Sequence, residues 1–123
     1  MDPKNIACLL GKLGSERGRA NEHHALEACL LPTRPAWMTS ARAATRAEDH
    51  DGIDVVVESD VGKLFVQVKS SRTGKAAFAE RRRRAHVAVV VVKSGDTLEE
   101  ILRRAVGALA PVRKRYLTQR AAT

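Results

Sequence analysis

The sequence predicts one α/β domain in which a four-stranded mixed sheet is flanked by helices. Three observations lead to this fold class: a β-hairpin pattern over residues 51–70, a further apolar strand over residues 86–92, and helical apolar stripes at residues 15–31 and after residue 97. At 123 residues the chain can bury one core but not two. We expect a single domain over residues 1–123, with its core at about 14–110 and a basic tail at 111–123.

The first predicted helix spans residues 15–31 and ends at Pro32. Its apolar stripe should face the sheet, and the acids available to lean toward the sheet are Glu16, Glu22 and Glu27. A short first strand is predicted within residues 35–42, around Ala36-Trp37-Met38-Thr39. The polar run at residues 43–51 has the composition of a loop, and its Asp49 and Asp51 are interpreted as turn residues or as additional ligands.

The hairpin brings polar side chains together at one edge of the predicted sheet. Its two apolar strands, at residues 53–57 and 64–68, are joined by turn-forming residues at 60–63. The first residues of one antiparallel strand lie beside the last residues of its partner, so Asp54 is expected near Gln67 and Lys69. Because Gln67 and Lys69 are two residues apart, they share a face of their strand. We therefore expect these three side chains to converge on one face.

The rest of the chain supplies a helix, a strand and a second helix. A polar, turn-rich segment and a short helix ending in four arginines are predicted at residues 70–84. The nearly continuous apolar run His86–Val92 predicts a strand buried on both faces, in the centre of the sheet. The last helix begins at Thr97, where Thr97-Leu98-Glu99-Glu100 resembles a capping box. Pro111 is expected to break or kink that helix.

The positive charge of the chain is concentrated in its second half. The net charge is +8, yet residues 1–59 carry seven Lys and Arg against nine Asp and Glu, whereas residues 60–123 carry fifteen against five. A basic surface of this kind attracts DNA phosphates by counterion release, although it also suits anionic membranes or simple solubility. The expected DNA contacts are Arg72, Lys75, Arg81, Arg82, Arg83, Arg84, Arg113, Lys114 and Arg115. With only four aromatic residues, duplex or branched DNA is favoured over unpaired bases.

Composition also indicates where the protein works. The longest apolar stretch, at residues 87–92, is far shorter than the ~20 residues of a membrane-spanning helix, and no basic-then-apolar leader is present. We expect a cytoplasmic protein that does not contact a membrane. Cys8 and Cys29 show no metal-ligand spacing and are expected to be reduced thiols.

Two short segments resemble the motif of a known nuclease superfamily. Gly52-Ile53-Asp54, followed after the hairpin turn by Phe65-Val66-Gln67-Val68-Lys69-Ser70, resembles the PD-(D/E)XK nucleases, with Gln67 where an acid is more common. Within that superfamily the chain is similar to small Holliday-junction-resolvase-like and Mrr-like restriction-endonuclease members. The resemblance covers roughly residues 14–92. It implies the restriction-endonuclease-like α-β-β-β-α-β core, and it matches Gly18-Arg19-Ala20-Asn21-Glu22 to the acid of the first helix.

The resemblance also implies hydrolysis of DNA phosphodiester bonds with Mg²⁺ or Mn²⁺. The implied metal ligands are Asp54, Glu22, the amide oxygen of Gln67 and the backbone carbonyl of Val68. Lys69 would steady the attacking water or the scissile phosphate, and Asp51 and Ser70 are auxiliary candidates. By analogy with the family, the protein is expected to act on duplex or branched DNA as a homodimer.

Gln67 leaves two other functions open. A neutral amide is a weaker ligand for a hard cation than a carboxylate, so the chain is alternatively a DNA-binding module that keeps the nuclease fold without its chemistry. A third interpretation is a protein–protein interaction module with a basic face.

Overall fold

The computed structural model describes residues 19–70 and 86–122, which form an α/β domain. The described part of helix α1 occupies residues 19–29. The elements that follow are β1 (Met38–Ala43), α2 (Arg46–His50), β2 (Val55–Ser59), β3 (Gly62–Lys69), β4 (Val87–Val91) and α3 (Leu98–Ala122). The predicted fold class is confirmed: a helix, a four-stranded mixed sheet and a long C-terminal helix that packs against the sheet.

The sheet is an antiparallel meander extended by one parallel strand. Its order is β1-β2-β3-β4, in which β1–β2 and β2–β3 are antiparallel and β3–β4 are parallel. The prediction that His86–Val92 lies in the centre of the sheet is wrong, because β4 has a neighbour only on the β3 side among the described strands. Helix α3 covers β4, and coverage by a helix gives an edge strand the same apolar composition as a central one.

The main core lies between one face of the sheet and helices α1 and α3. The helices contribute small and branched side chains to this face, among them Ala25, Cys29, Ile101 and Leu109. Val55 and Val66, which are paired across β2 and β3, are almost completely buried beneath these helices. A smaller cluster on the opposite face joins Val56, Ile53, Val87 and Phe65. The period-two alternation of the strands therefore separates two apolar faces.

Two boundaries in the region of β1 differ from those predicted. The first strand runs from Met38 to Ala43, several residues later than the sequence around Ala36-Trp37-Met38-Thr39 suggested. The polar run at residues 43–51 contains the short helix α2 instead of being loop throughout. Helix α2 buries none of its residues, so it has no apolar stripe by which to recognise it.

Helix α3 continues through Pro111 to Ala122, so the predicted break does not occur. A proline inside a helix removes the hydrogen bond to the carbonyl four residues earlier, which here belongs to Gly107. Gly107 and Pro111 are both exposed, so water can solvate that carbonyl. Leu109 and Val112 are buried on either side of Pro111 and hold both halves of the helix on the sheet. Thr97 caps the start as predicted, accepting a hydrogen bond from the Glu100 amide at 3.2 Å.

Several predictions concern segments beyond the described ranges. They include the helix at residues 76–84, the beginning of the first helix with Glu16, Cys8, and the expected DNA contacts Arg72, Lys75 and Arg81 to Arg84. Over residues 19–70 and 86–122, no helix is both long enough and apolar enough to cross a bilayer. Cys29 is a free, buried thiol, and burial raises its pKa to about 11.

Candidate metal centre

Asp54 lies immediately before β2 and is fixed by the backbone of β3. Its amide donates to the Val66 carbonyl at 2.8 Å, and its Oδ2 accepts the Val68 amide hydrogen at 2.7 Å. The side chain thus accepts a hydrogen bond that a backbone carbonyl would receive if the antiparallel pairing continued. Asp54 and Lys69 lie at the same end of the hairpin, as the sequence predicted. The Asp54 side chain is directed along the end of the sheet, toward the Val68 backbone.

Three carboxylates from three different elements meet at this end of the sheet. Glu22 comes from α1, Asp49 from α2 and Asp54 from the segment before β2, and one carboxylate oxygen of each lies within 4.8 Å of the other two. We call these three residues the acidic cluster. The structure therefore brings together Glu22 and Asp54. Glu27, the other described candidate on α1, is exposed and pairs with His23 at 2.6 Å.

Burial and neighbouring charges perturb the ionisation of two carboxyl groups, Glu22 and Asp54. Burial, followed by the negative charge of Asp54 and a hydrogen bond to it, raises the pKa of Glu22 to about 7. Burial also raises the pKa of Asp54, although the Val68 amide and the charge of Lys69 oppose that rise. A hydrogen bond joins the two carboxyl groups, with protonated Glu22 donating to Asp54. The free cluster is therefore electrostatically unfavourable when it is fully ionised.

Asp49 is positioned by a helix cap that the sequence interpretation missed. Thr45 and Glu48 form a reciprocal capping box around the start of α2, with distances of 2.8 and 3.2 Å. Arg42 of β1 donates two hydrogen bonds to the Glu48 carboxylate, at 2.7 and 3.1 Å. The bond from Arg42 is the largest of the effects that lower the pKa of Glu48 to about 2. Strand β1 and the cap together fix the helix that carries Asp49 into the cluster.

Asp51, named from the sequence as an auxiliary residue, has a different place. It is exposed at the C-terminal end of α2, and its amide donates to the carbonyls of Ala47 and Glu48. Of the two acids Asp49 and Asp51, it is Asp49, within α2, that joins the cluster. The pattern Thr45-x-x-Glu48 was the available signal, because a helix starting there directs residues 49 and 51 to different sides.

The remaining motif residues lie along the end of β3. Gln67 is half-buried and lies between Val66 and Val68, whose backbone groups hydrogen-bond Asp54. The N–H and carbonyl of a strand residue point to the same side, so the Val68 carbonyl is directed toward β2, the side on which its amide bonds Asp54. Lys69 is close enough to Asp54 for its charge to lower the pKa of that carboxyl. Ser70 is exposed just after the strand.

An open cleft of about 950 Å³ borders the acidic cluster. The cleft is lined by Glu22 and His24 of α1, by Lys69 and Ser70 at the end of β3, and by residues 92–96. The cleft therefore has an acidic side at Glu22 and a basic side at Lys69 and Lys93. His24, Lys93 and Ser94 were not singled out from the sequence, which carries no motif for them.

The basic residues predicted on α3 lie toward the opposite end of the sheet. Arg113 donates from Nε and Nη2 to the two carboxylate oxygens of Asp60, at 2.9 and 2.6 Å, and its guanidinium lies 5.3 Å from the ring centre of Trp37. Asp60 belongs to the β2–β3 turn, which the eight residues of β3 separate from Lys69 by roughly 23 Å. Lys114 and Arg115 are exposed next to Arg113. Whether these residues contact DNA stays a prediction.

Fold and site together define an α/β domain with a group of carboxylates at one end of a four-stranded mixed sheet. Comparison of the chain with protein-family models, curated proteins and solved structures finds no match. The function of the site is therefore inferred from its own chemistry.

Proposed function

We propose that the protein is a divalent-metal-dependent endonuclease of the PD-(D/E)XK type, which hydrolyses phosphodiester bonds of duplex or branched DNA. One observation carries the proposal: carboxylates from α1, α2 and the segment just before β2 meet beside Lys69 at the end of the hairpin. Neighbouring carboxyl groups whose pKa values are raised, here mainly by burial, and that lie next to a cleft are typical of functional sites. The basic second half of the chain supports a polyanionic substrate.

The donor set of the cluster suits Mg²⁺ or Mn²⁺. These hard cations take oxygen ligands, and Mg²⁺ commonly uses one or two carboxylates with water and phosphate oxygens in its remaining positions. Glu22, Asp49 and Asp54 are the residues that would hold the ion, with the Val68 carbonyl as a backbone ligand. A bound ion of this class lowers the pKa of its water and offsets negative charge on the phosphate. Binding would also relieve the repulsion within the cluster.

Residues of the chain prepare the remaining parts of the site. The Val68 amide holds Asp54 in place before any ligand binds, so its carboxylate needs little reordering. Lys69 supplies a positive charge near Asp54 for the scissile phosphate or the attacking water. Asp49 adds a carboxylate to a site where Gln67 stands in place of the commoner acid. The cluster thus retains three acids despite the neutral residue in the motif.

Gln67 favours one second candidate, a DNA-binding module without catalysis. The residue stands at the motif position where an acid is more common, and its amide holds a hard dication less firmly than a carboxylate does. In that case DNA binding would persist without cleavage. The two candidates differ in a single measurement, metal-dependent strand scission.

The test compares variants at the two ends of the sheet, with Asp54 and Lys69 at the acidic cluster and Asp60 at the β2–β3 turn. Asp54→Asn and Lys69→Ala should each lower cleavage of plasmid and four-way-junction DNA in Mn²⁺ by about a hundredfold or more, because Asp54 would hold the ion and Lys69 would act on the scissile phosphate or the attacking water. Asp60→Asn, on the exposed β2–β3 turn, is the matched control and should keep wild-type cleavage. Binding in Ca²⁺ should survive in all three variants, since Ca²⁺ occupies oxygen sites without supporting the same chemistry.

Two outcomes would change the proposal. Wild-type protein that binds these DNAs and cuts none of them in Mg²⁺ or Mn²⁺ is a binding module. In that event Gln67→Glu, which restores the commoner motif, tests whether only a ligand has been lost: newly acquired cleavage would show that the geometry is intact. Equal cleavage by the wild type and Asp54→Asn would place the chemistry elsewhere.

A further inference from the structure

The turn between β4 and α3 forms a rigid wall of the cleft. The Asp96 carboxylate accepts the Lys93 amide hydrogen at 2.6 Å, and the Asp96 amide donates back to the Lys93 carbonyl at 3.1 Å. Gly95 adopts a φ of +88° inside this turn, which favours glycine. Arg104 of α3 then donates to both Asp96 oxygens and to the Val91 carbonyl at 2.9 Å. The backbone that carries Lys93 and Ser94 is therefore fixed from three sides.

The same contacts neutralise the one carboxylate of the turn. Hydrogen bonds from Arg104 are the largest cause of the lowered pKa of Asp96, and the charge of Lys93 is the last of the contributing causes. The Asp96 carboxylate is therefore bonded to Arg104 and to the turn backbone. The Lys93 side chain is exposed and lines the cleft. The turn presents net positive charge to the cleft.

Sheet pairing brings Lys93 close to Lys69. Val91 pairs with Lys69 in the parallel register of β3 and β4, and the Val92 amide donates to the Lys69 carbonyl at 2.8 Å. Lys93 follows two residues after Val91, and both lysines line the same cleft. Ser70 and Ser94 add hydroxyl groups to this side. A cleft of about 950 Å³ is large enough for a nucleotide-sized group.

We propose that Lys93 and Ser94 bind a second phosphate of the substrate strand, next to the phosphate held at the acidic cluster. This inference rests on the proposed nuclease function and extends it by assigning the cleft to the path of the cut strand. Lys69 lies between the two positions, so the strand would run from the acidic cluster across the end of β3 to the β4–α3 turn. Lys93 is a binding residue in this scheme, with no part in the chemical step.

The experiment pairs a side-chain change with removal of one phosphate charge. Duplex substrates carrying a single neutral methylphosphonate linkage at successive positions are titrated in Ca²⁺ with the wild type, Lys93→Gln and Lys63→Gln. Lys63 is an exposed lysine at the opposite end of β3 and serves as the matched control. Lys93→Gln preserves the backbone bonds of the turn, and the substituted DNA leaves the protein unaltered, so the test does not depend on a destabilised variant.

We expect one linkage beside the cleavage position to weaken wild-type binding roughly fivefold to tenfold, the effect of one phosphate contact near physiological salt. Lys93→Gln should weaken binding to unmodified DNA by a similar factor. Its affinity for DNA with the neutral linkage at that position should equal its affinity for unmodified DNA. Its log–log salt slope should be shallower by about 0.9, and its KM should rise while kcat is retained. Lys63→Gln should keep the wild-type pattern.

The outcomes separate this inference from the proposed function. Wild-type cleavage with Lys93→Gln identical in affinity, salt slope and linkage pattern would overturn the second phosphate site and leave the nuclease proposal standing. Coupling between Lys93 and one linkage in a protein that never cuts DNA would support the phosphate contact and remove the enzyme. Absence of DNA binding at low salt would overturn both.

Discussion

The two ends of the sheet treat their charged residues in opposite ways. At the β2–β3 turn, Asp60 is paired with Arg113, and this bond lowers the pKa of Asp60. At the other end, Glu22, Asp49 and Asp54 lie within 4.8 Å of one another, and the pKa values of Glu22 and Asp54 are raised. At the β2–β3 turn, Arg113 neutralises the charge of Asp60 within the fold. At the acidic cluster, a bound cation or bound protons would neutralise the carboxylate charges.

Under the proposed function, this contrast assigns the pair Asp60–Arg113 to stability and the acidic cluster to binding. Selection for stability alone favours pairs such as Asp60–Arg113, because like charges without a counter-ion destabilise a fold. A cluster of acids held in place by three elements is therefore typical of a ligand site. The contrast can be tested without assuming any activity, by measuring how each end responds to cation, pH and mutation.

The largest expected effect is stabilisation by metal at the acidic end. Mn²⁺ at a hundredfold excess over its dissociation constant should raise the free energy of unfolding of the wild type by about 2.7 kcal/mol. Asp54→Asn should lose most of this gain, whereas Asp60→Asn should keep it, because Asp60 lies at the other end of β3. Thermal denaturation in Mn²⁺ and in EDTA at pH 8 measures both. Equal metal-induced shifts in the two variants would remove the distinction between the ends.

A smaller effect, of opposite sign to most mutations, is expected at Glu22. Its pKa is raised to about 7 in the folded protein from an ordinary 4.5, so below pH 4.5 the group is protonated in both states and stability is not reduced. As the pH rises from 4.5 to about 7, the free energy of unfolding falls, because the unfolded chain ionises this group more easily than the folded protein does. Above pH 7 the folded protein must also carry the Glu22 charge. Glu22→Gln, which donates to Asp54 as the protonated acid does, should therefore be neutral near pH 4 and stabilising at pH 8, by about 1 kcal/mol after allowance for solvent screening.

Glu27→Gln is the matched control for this measurement. Glu27 is on the same helix, exposed and paired with His23, away from the acidic cluster. Denaturant titrations at pH 4 and pH 8 should show a pH-dependent gain for Glu22→Gln and none for Glu27→Gln. A loss of stability in Glu22→Gln at pH 8 would mean that the cluster is not under electrostatic strain.

The smallest effect is expected at the paired end. Asp60→Asn should lower the melting temperature by only a few degrees at pH 7, since exposed ion pairs contribute little. The pKa of Asp60 is lowered, so the stabilisation is present above the ordinary aspartate value and disappears as the pH falls below it. The difference between the variant and the wild type should shrink at pH 3 and in high salt. A stabilised variant would contradict the contrast between the ends.

The hairpin and its site end could be predicted because alternation and pairing are local rules. The apolar pattern of residues 53–57 and 64–68 fixes two adjacent antiparallel strands, and adjacency fixes Asp54 beside the end of β3. The position of β4 could not be predicted in the same way, since residues 86–92 carry no information on which neighbours they pair with. An edge strand that is covered by a helix is as apolar as a central one.

The sequence named both Asp49 and Asp51 as possible additional ligands, but it could not show which of them joins the cluster. Helix α2 is five residues long and buries none of them, so its only sequence signal is the cap formed by Thr45 and Glu48. Arg42 of β1 supports that cap by bonding Glu48. Arg42 belongs to no sequence motif, so only the structure shows this contact. The break predicted at Pro111 does not occur, because the exposure of Gly107, which makes the proline tolerable, is a tertiary property.

The hydrogen bond from Val68 to Asp54 gives the protein an internal reporter. In a nitrogen–proton correlation spectrum the Val68 amide gives one peak, and its position depends on the charge of the carboxylate that it touches at 2.7 Å. Proton uptake by Asp54 or arrival of a cation would therefore move this single resonance in the free protein. Occupancy of the acidic cluster can thus be followed spectroscopically, in solution and without any substrate.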